Sequence, residues 1–192
     1  MKTFGIYILI IALLIFSGCT DTGDEKYVIE TELGDIMFEV YPEKAPITVG
    51  NFKKYVEQAN FDGAYFYRVV RMDNQPVNPV KIEVIQGDFT GADHRFPIIE
   101  HETTEVTGLT HKDGTVSMGR FEVGTTQAEF FICINDQPEL DYNGKRNPDG
   151  QGFAAFGQVL EGMDVVKEIQ SGETDKQSLK KKIKISSISK LK

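Results

Sequence analysis

YVIETELGDIMFEVY, residues 27–41, holds two β-rich runs around a single turn. Tyr27 to Leu33 is rich in strand-forming residues, and Gly34-Asp35 is a turn signal. Beyond it Ile36, Phe38 and Val40 alternate with Met37, Glu39 and Tyr41. A period of two puts the first set on one face, so the stretch reads as a hairpin with one apolar side. Strands joined by so tight a turn run antiparallel. The fold class follows from whether the rest of the chain continues in this manner.

Downstream it does. Ala64–Arg71 (AYFYRVVR), Ile82–Phe89, Thr115–Met118, Glu129–Ile134 and Phe153–Leu160 (FAAFGQVL) read as further strands, and Ile183 and Ile185 alternate in a last one. Two helices interrupt them. One starts near Pro46, carries Val49, Phe52 and Val56 at helical spacing, and stops at Asn60–Gly63. The other is Gly162–Gln170, with Met163, Val166 and Ile169 three apart. Many short strands with few helices indicate an all-β, mainly antiparallel sandwich or barrel rather than βαβ units. Two stretches read as loops, MDNQPVNPVK at 72–81 and QPELDYNGKRNPDGQG at 137–152. Compact domains rarely carry such loops without use, so each is a candidate border of a binding surface.

Composition narrows the function. The 192 residues fit one domain with a core of its own, without disulfide staples. A net charge of −8 argues against a nucleic-acid binder, whose domain would carry a basic face. Two cysteines, Cys19 and Cys133, exclude a disulfide framework. Cys133 sits among Phe130, Phe131, Ile132 and Ile134 and reads as a buried thiol rather than a nucleophile.

The N-terminus stands apart. After Lys2, residues 4–16 (FGIYILIIALLIF) are apolar and uncharged, short for a membrane span but of the length of a secretory signal. The run meets Phe16-Ser17-Gly18-Cys19, which resembles a bacterial lipoprotein signal. Residues 1–18 are therefore expected to be removed, Cys19 lipidated, and residues 19–26 to tether a domain spanning 27–192. An ordinary cleaved signal or an uncleaved anchor are the alternatives. The lipoprotein reading places the protein in the cell envelope, on the extracytoplasmic side.

Reactive chemistry is sparse. There is no glycine-rich phosphate loop. His94, His101 and His111 lack zinc-site spacing and read as polar loop residues. Ser117 has no nucleophile-elbow context. Glu100 and Glu102 read as exposed acids rather than a glycosidase pair, and Lys180–Lys182 with Lys184 as a solvated strand face.

Six segments in order nevertheless resemble the cyclophilins, a family of peptidyl-prolyl isomerases. They are EVYPEKAPITVGNF at 39–52, FYRVV at 66–70, IQGDF at 85–89, GTVSMG at 114–119, EFFIC at 129–133, and FAAFGQV at 153–159 followed by EGMDVV at 161–166. Each is weak alone; together they cover roughly residues 27–188. The resemblance implies a closed eight-stranded antiparallel barrel with a helix over each end, acting on Xaa-Pro bonds as a monomer without cofactor or metal. It implies Arg68, Gln86 and Phe131 as catalytic residues. Val84, Met118, Gly119, Arg120, Glu129, Leu140 and Phe153 are implied to bind substrate, Gly119 and Arg120 holding the residues before proline. The same resemblance leaves room for a weakly catalytic proline-binding module or a structural envelope lipoprotein. Departures are specific. Arg68 and Gln86 lie eighteen apart where the family has eight, which places an insertion at 72–81. Glu83 falls at an apolar position, Glu129 replaces a Gln, Phe153 a His, and Glu139 lies near the place of a Trp.

Overall fold

The computed structural model describes residue 23, residues 25–88 and residues 95–192. The signal segment 1–18, Cys19, most of the tether, Phe89 and His94 lie outside the described residues.

The opening hairpin forms as the alternation dictates. Strands β1 (Glu25–Thr31) and β2 (Gly34–Val40) pair antiparallel, with Ile29 opposite Ile36 and Tyr27 opposite Phe38. β1 takes in the last two residues of the expected tether, because Glu25 and Lys26 already pair with Val40 and Glu39. Helix α1 (Pro46–Glu57) follows, then β3 (Tyr65–Val70), β4 (Val84–Asp88), a short helix α2 (Thr104–Thr107), β5 (Thr115–Met118) and β6 (Phe130–Cys133). The chain ends in β7 (Ala154–Glu161), α3 (Met163–Gln170), β8 (Thr174–Asp175) and β9 (Ser178–Lys190). The sheet order is β1-β2-β7-β5-β6-β4-β3-β9, and β9 pairs back onto β1, closing an eight-stranded antiparallel barrel. The two-residue β8 is a hairpin partner of β9 outside the closed ring. It and α2 are additions to the expected architecture of eight strands and two helices.

Closure leaves every strand an inner and an outer face. Ile29, Ile36, Phe38, Phe66, Ile85, Val116, Phe130, Ile132 and Phe156 fill the interior. Val49, Phe52 and Tyr55 from α1 and Val166 and Ile169 from α3 complete the same core. Fully burying an aromatic or branched aliphatic side chain contributes roughly 1.5–3 kcal/mol, so this cluster supplies the main driving force for folding. A second, smaller apolar cluster lies on the outer face: Val70, Ile82, Val84, Phe131, Cys133 and Leu140, with Phe153 packed against it. β6 serves both clusters, Phe130 and Ile132 turning in while Phe131 and Cys133 turn out.

Candidate functional site

The outer cluster is the floor of the site, and strand register assembles the polar groups around it. Arg68 lies opposite Gln86, Gln86 opposite Phe131, and Phe131 opposite Ser117, one row crossing β3, β4, β6 and β5. A bulge makes the row possible. Pairing jumps from Phe66 opposite Gly87 to Arg68 opposite Gln86, so Tyr67 is the extra residue. The extra residue lets Tyr67 and Arg68 both reach the outer face while Phe66 and Val69 stay in the core.

Arg68 is held on two sides. Its Nε and Nη2 donate to Gln177 Oε1 at 3.0 and 2.6 Å, and Nη1 donates to Gln86 Oε1. Gln86 Nε2 donates to Glu129 Oε1, which also accepts from the Tyr67 hydroxyl. A guanidinium has five N–H donors, so two on Arg68 have no partner among the described residues. Burial pulls the Arg68 pKa below its ordinary value, partly offset by Tyr67 and Glu129. Burial and then the Glu129 carboxylate push the Tyr67 hydroxyl well up.

Arg68, Val84, Gln86, Gly119, Arg120, Phe131, Leu140 and Phe153 line one cavity of about 200 Å³. Eight of the ten site residues expected from the sequence are thus brought together. Glu129 lies behind Gln86 and lines an adjoining small cavity with Gly119. Met118 is not brought in: it belongs to the barrel interior, in phase with Val116. Glu83 does not take the apolar pocket position either. It accepts from Asn135 Nδ2 at 2.9 Å, and its neighbour Ile82 lines the cavity instead.

The Arg120 side chain is committed to the fold. It forms a two-pronged ion pair with Asp149 at 2.8 and 2.9 Å, donates Nε to the Gly152 carbonyl, and lies over the Phe153 ring. This clasp closes loop 137–152 against β5. The loop is compact: Phe153 N donates to Leu140 O at 2.9 Å and Arg146 N to Glu139 O at 3.1 Å. Gly144 and Gly152 admit no side chain, since a Cβ there would lie 2.4 and 2.5 Å from backbone atoms.

His111, Asp141, Arg146 and Gln177 also belong to the site, though not among the residues expected there. His111 lies in the loop before β5, as expected, but it is buried beneath the pocket floor rather than left at the surface. It stacks on Phe131 with ring centres 5.9 Å apart, and bridges Asp141 (Nδ1, 2.6 Å) to Ser117 (Nε2, 2.9 Å). The trio has the connectivity of a hydrolase triad, but His111 is 1% exposed and Ser117 not at all. A nucleophile must reach its substrate, so the trio braces Phe131 rather than attacking anything. Cys133 lies beside it, fully buried, its thiol pKa raised well above normal by burial.

A closed barrel with a cavity on its outer wall, apolar along its floor and ringed by Arg68, Gln86, Arg120, Arg146 and Asn147, has a binding site of a definite class. The comparisons state which one. The family described as cyclophilin type peptidyl-prolyl cis-trans isomerase matches residues 26–190. Among curated relatives, cyp18 of Streptomyces antibioticus is 32% identical over 148 residues, spanning 76% of this chain and 83% of that protein. Isomerase B of Escherichia coli is 30% identical over 151 residues, 78% of this chain and 86% of that one. A Cryptosporidium parvum cyclophilin superposes with a TM-score of 0.68 at 18% identity, over 88% of this chain and 99% of that one. The same protein solved in the presence of the dipeptide Ala-Pro superposes at 0.64 and 19% identity, over 85% and 96%. The chain belongs to the cyclophilin-type peptidyl-prolyl isomerase family.

Proposed function

We propose that this chain accelerates rotation about Xaa-Pro bonds in polypeptides, with Arg68 as the group that stabilises the twisted amide. The reading rests on one observation above the rest. A guanidinium with two unused N–H donors, fixed by Gln86 and Gln177, lines a cavity whose apolar part is Ile82, Val84, Phe131, Leu140 and Phe153 and whose polar part is Gln86, Arg120, Arg146 and Asn147.

Amide resonance sets a barrier of about 18–20 kcal/mol to rotation. As the bond twists, the proline nitrogen regains its lone pair and becomes a hydrogen-bond acceptor. A donor placed there binds the twisted state more strongly than the planar one, and only such a differential lowers the barrier. A charge-assisted hydrogen bond contributes about 1.5–3 kcal/mol, roughly ten- to a hundredfold in rate. The apolar walls hold the proline ring and strip its water, which strengthens that bond. Gln86 orients Arg68 through its oxygen and is itself held by Glu129 through its nitrogen, which leaves one amide hydrogen and one lone pair for the substrate backbone. Glu129 places a negative charge near the guanidinium, so turnover is expected to be slower than with a neutral residue there.

The test is NMR exchange on Xaa-Pro peptides, with the full chain in detergent and its Arg68→Ala variant. Exchange accelerated by the parent and reduced at least tenfold in the variant supports the reading. Peptide binding without acceleration favours a proline-binding module, and equal acceleration by the variant removes Arg68 from the mechanism. We further propose that Cys19 carries lipid and holds the domain, as a monomer, outside the cytoplasmic membrane; the apolar run 4–16 before Ser17-Gly18-Cys19 supports this. Labelled fatty acid should enter the parent and not Cys19→Ala; label in both refutes it.

A further inference from the structure

The proline cavity does not end at Arg68. A larger space of about 660 Å³ shares Arg68 and Arg146 with it and runs on between the 72–81 insertion and the turn joining β8 to β9. We propose that this chamber binds the residues following proline and selects acidic ones, a specificity that rests on the isomerase reading and that the insertion creates.

The chamber is built rather than incidental. Gln75, 2% exposed, donates to the carbonyls of Arg71 and Ile82 at 2.7 Å and accepts from Ile82 N at 3.2 Å, which fixes the insertion's two ends together. Arg146 reaches across from loop 137–152, its Nη1 donating to Gln75 Oε1 at 2.9 Å and to Val80 O at 2.6 Å. Gln177 donates to Asn74 O at 3.3 Å while its oxygen holds Arg68. Three separate segments thus meet around one space.

Its charge is one-sided. The ionisable lining residues are Arg68, Arg146 and Lys176, and none of the ten lining residues is acidic. On a chain of net charge −8 that is a local reversal. The acids nearby are committed or turned outward: Asp73 is exposed and pairs with Arg71 at 3.3 Å, Glu173 pairs with Lys180 at 3.2 Å, and Asp175 is exposed. Arg146 Nε and Nη2 and the Lys176 ammonium have no partner among the described residues. Burial first, and then the Arg68 charge, lower the Arg146 pKa, as expected of two guanidiniums facing each other with no anion between them. A carboxylate placed there accepts from both. Pro76 and Val77, the latter 93% exposed, add an apolar rim for the neighbouring side chain.

Direction follows from the opposite rim. Glu129 and Gly119 line the small cavity on the side expected to hold the residues before proline; its two arginines, Arg95 and Arg120, already face the carboxylates of Asp88 and Asp149, and Glu129 adds a further negative charge against an acid there. The residues after proline therefore enter the cationic side.

The test compares NMR exchange on peptides identical except at the two positions after proline, filled with Glu, Ala or Lys, plus one with Glu moved before it. Solvent-reached ion pairs of this kind predict kcat/KM roughly two- to fivefold higher for Glu than for Ala, with Lys lowest and no gain from Glu before proline. The preference should collapse in about 1 M salt, where the screening length is about 3 Å. In Lys176→Glu the Glu-to-Ala ratio should fall toward one. Lys176 has φ +56°, so Lys176→Asn, which tolerates that backbone, serves as the second variant. Equal acceleration of all peptides, or an unchanged ratio in both variants, overturns the proposal while leaving the isomerase standing. Acceleration of none overturns both.

Discussion

Glu102→Ala should cost this fold about 3 kcal/mol although Glu102 lies far from α1 in sequence. Helix α1 starts without a capping side chain: its N-cap is Ala45, and no acid occupies its first turn. Pro46 has no N–H, but the amides of Ile47 and Thr48 need acceptors. Glu102 supplies both, Oε1 taking Ile47 N at 3.1 Å and Oε2 taking Thr48 N at 2.7 Å and the Thr48 hydroxyl at 2.6 Å. It is 8% exposed and so, unlike Glu100, is not the exposed acid expected from the sequence; the amides it accepts from hold it inside, and water does not readily replace it. Loss of a cap costs about 0.5–2 kcal/mol, and a carboxylate at a partly buried helix N-terminus contributes up to about 2 more. Allowing for overlap, Glu102→Ala should lose about 2–4 kcal/mol and Glu102→Gln, which retains one acceptor, about half of that. For a domain of this size the alanine variant should melt roughly 6–12 °C lower. The control is Glu100→Ala, an exposed neighbour expected to change stability by less than about 0.5 kcal/mol. Urea unfolding followed by circular dichroism gives all three values. Should the Glu102 variants match the Glu100 control, the carboxylate is not what caps the helix. The effect should also reach the site, because Asn51 Nδ2 of α1 donates to Gln127 O, two residues before Glu129.

Three further outcomes are expected. Burial alone would raise the Glu25 pKa, but hydrogen bonds from Lys53, Tyr27 and Lys190 hold it down to about 2 in the fold, against an ordinary 4.5. A depressed folded pKa gives stability that is present above about pH 4.5 and lost as the pH falls toward 2; Glu25→Gln should flatten unfolding curves across that window, and an unchanged slope contradicts the ion-pair account. His111→Ala removes the stack under Phe131 and leaves Asp141 and Ser117 without their bridge; a loss of about 2–4 kcal/mol is expected, with a raised KM for proline peptides, and parent-like values in both assays exclude the bracing role. Cys133 should react with thiol reagents only at the rate of opening, so labelling faster than hydrogen exchange of β6 would show a thiol more accessible than its burial allows.

Much of the barrel was legible because period-two patterns are local. The hairpin at 27–41, β5 and both longer helices lie within a residue or two of where spacing put them. Met118 was legible too, since alternation in TVSM places it with core-facing Val116; the family resemblance, not the pattern, drew it to the substrate. Arg68 shows the converse. Strict alternation from Phe66 would turn Arg68 into the core, and only the bulge at Tyr67, invisible in composition, turns it out. α2 has four residues, too few for any periodicity. His111 was out of reach for a different reason. Its partners stand six and thirty residues away, and a lone histidine carries no trace of them.

The seam between β1 and β9 sets a schedule for folding. Tyr27 lies opposite Lys190 and Ile29 opposite Ile188, so the earliest strand of the domain is completed by the last. Until β9 is made, β1 and β3 each present an open edge, and the interior is walled on seven sides only. Such distant pairings slow folding, because loop entropy is lost before the contacts form. Synthesis from N- to C-terminus thus yields no finished intermediate. An isomerase of this architecture reaches its own working form in one late, cooperative step, and any chain cut short of β9 is a sheet with two exposed edges, prone to join its neighbours.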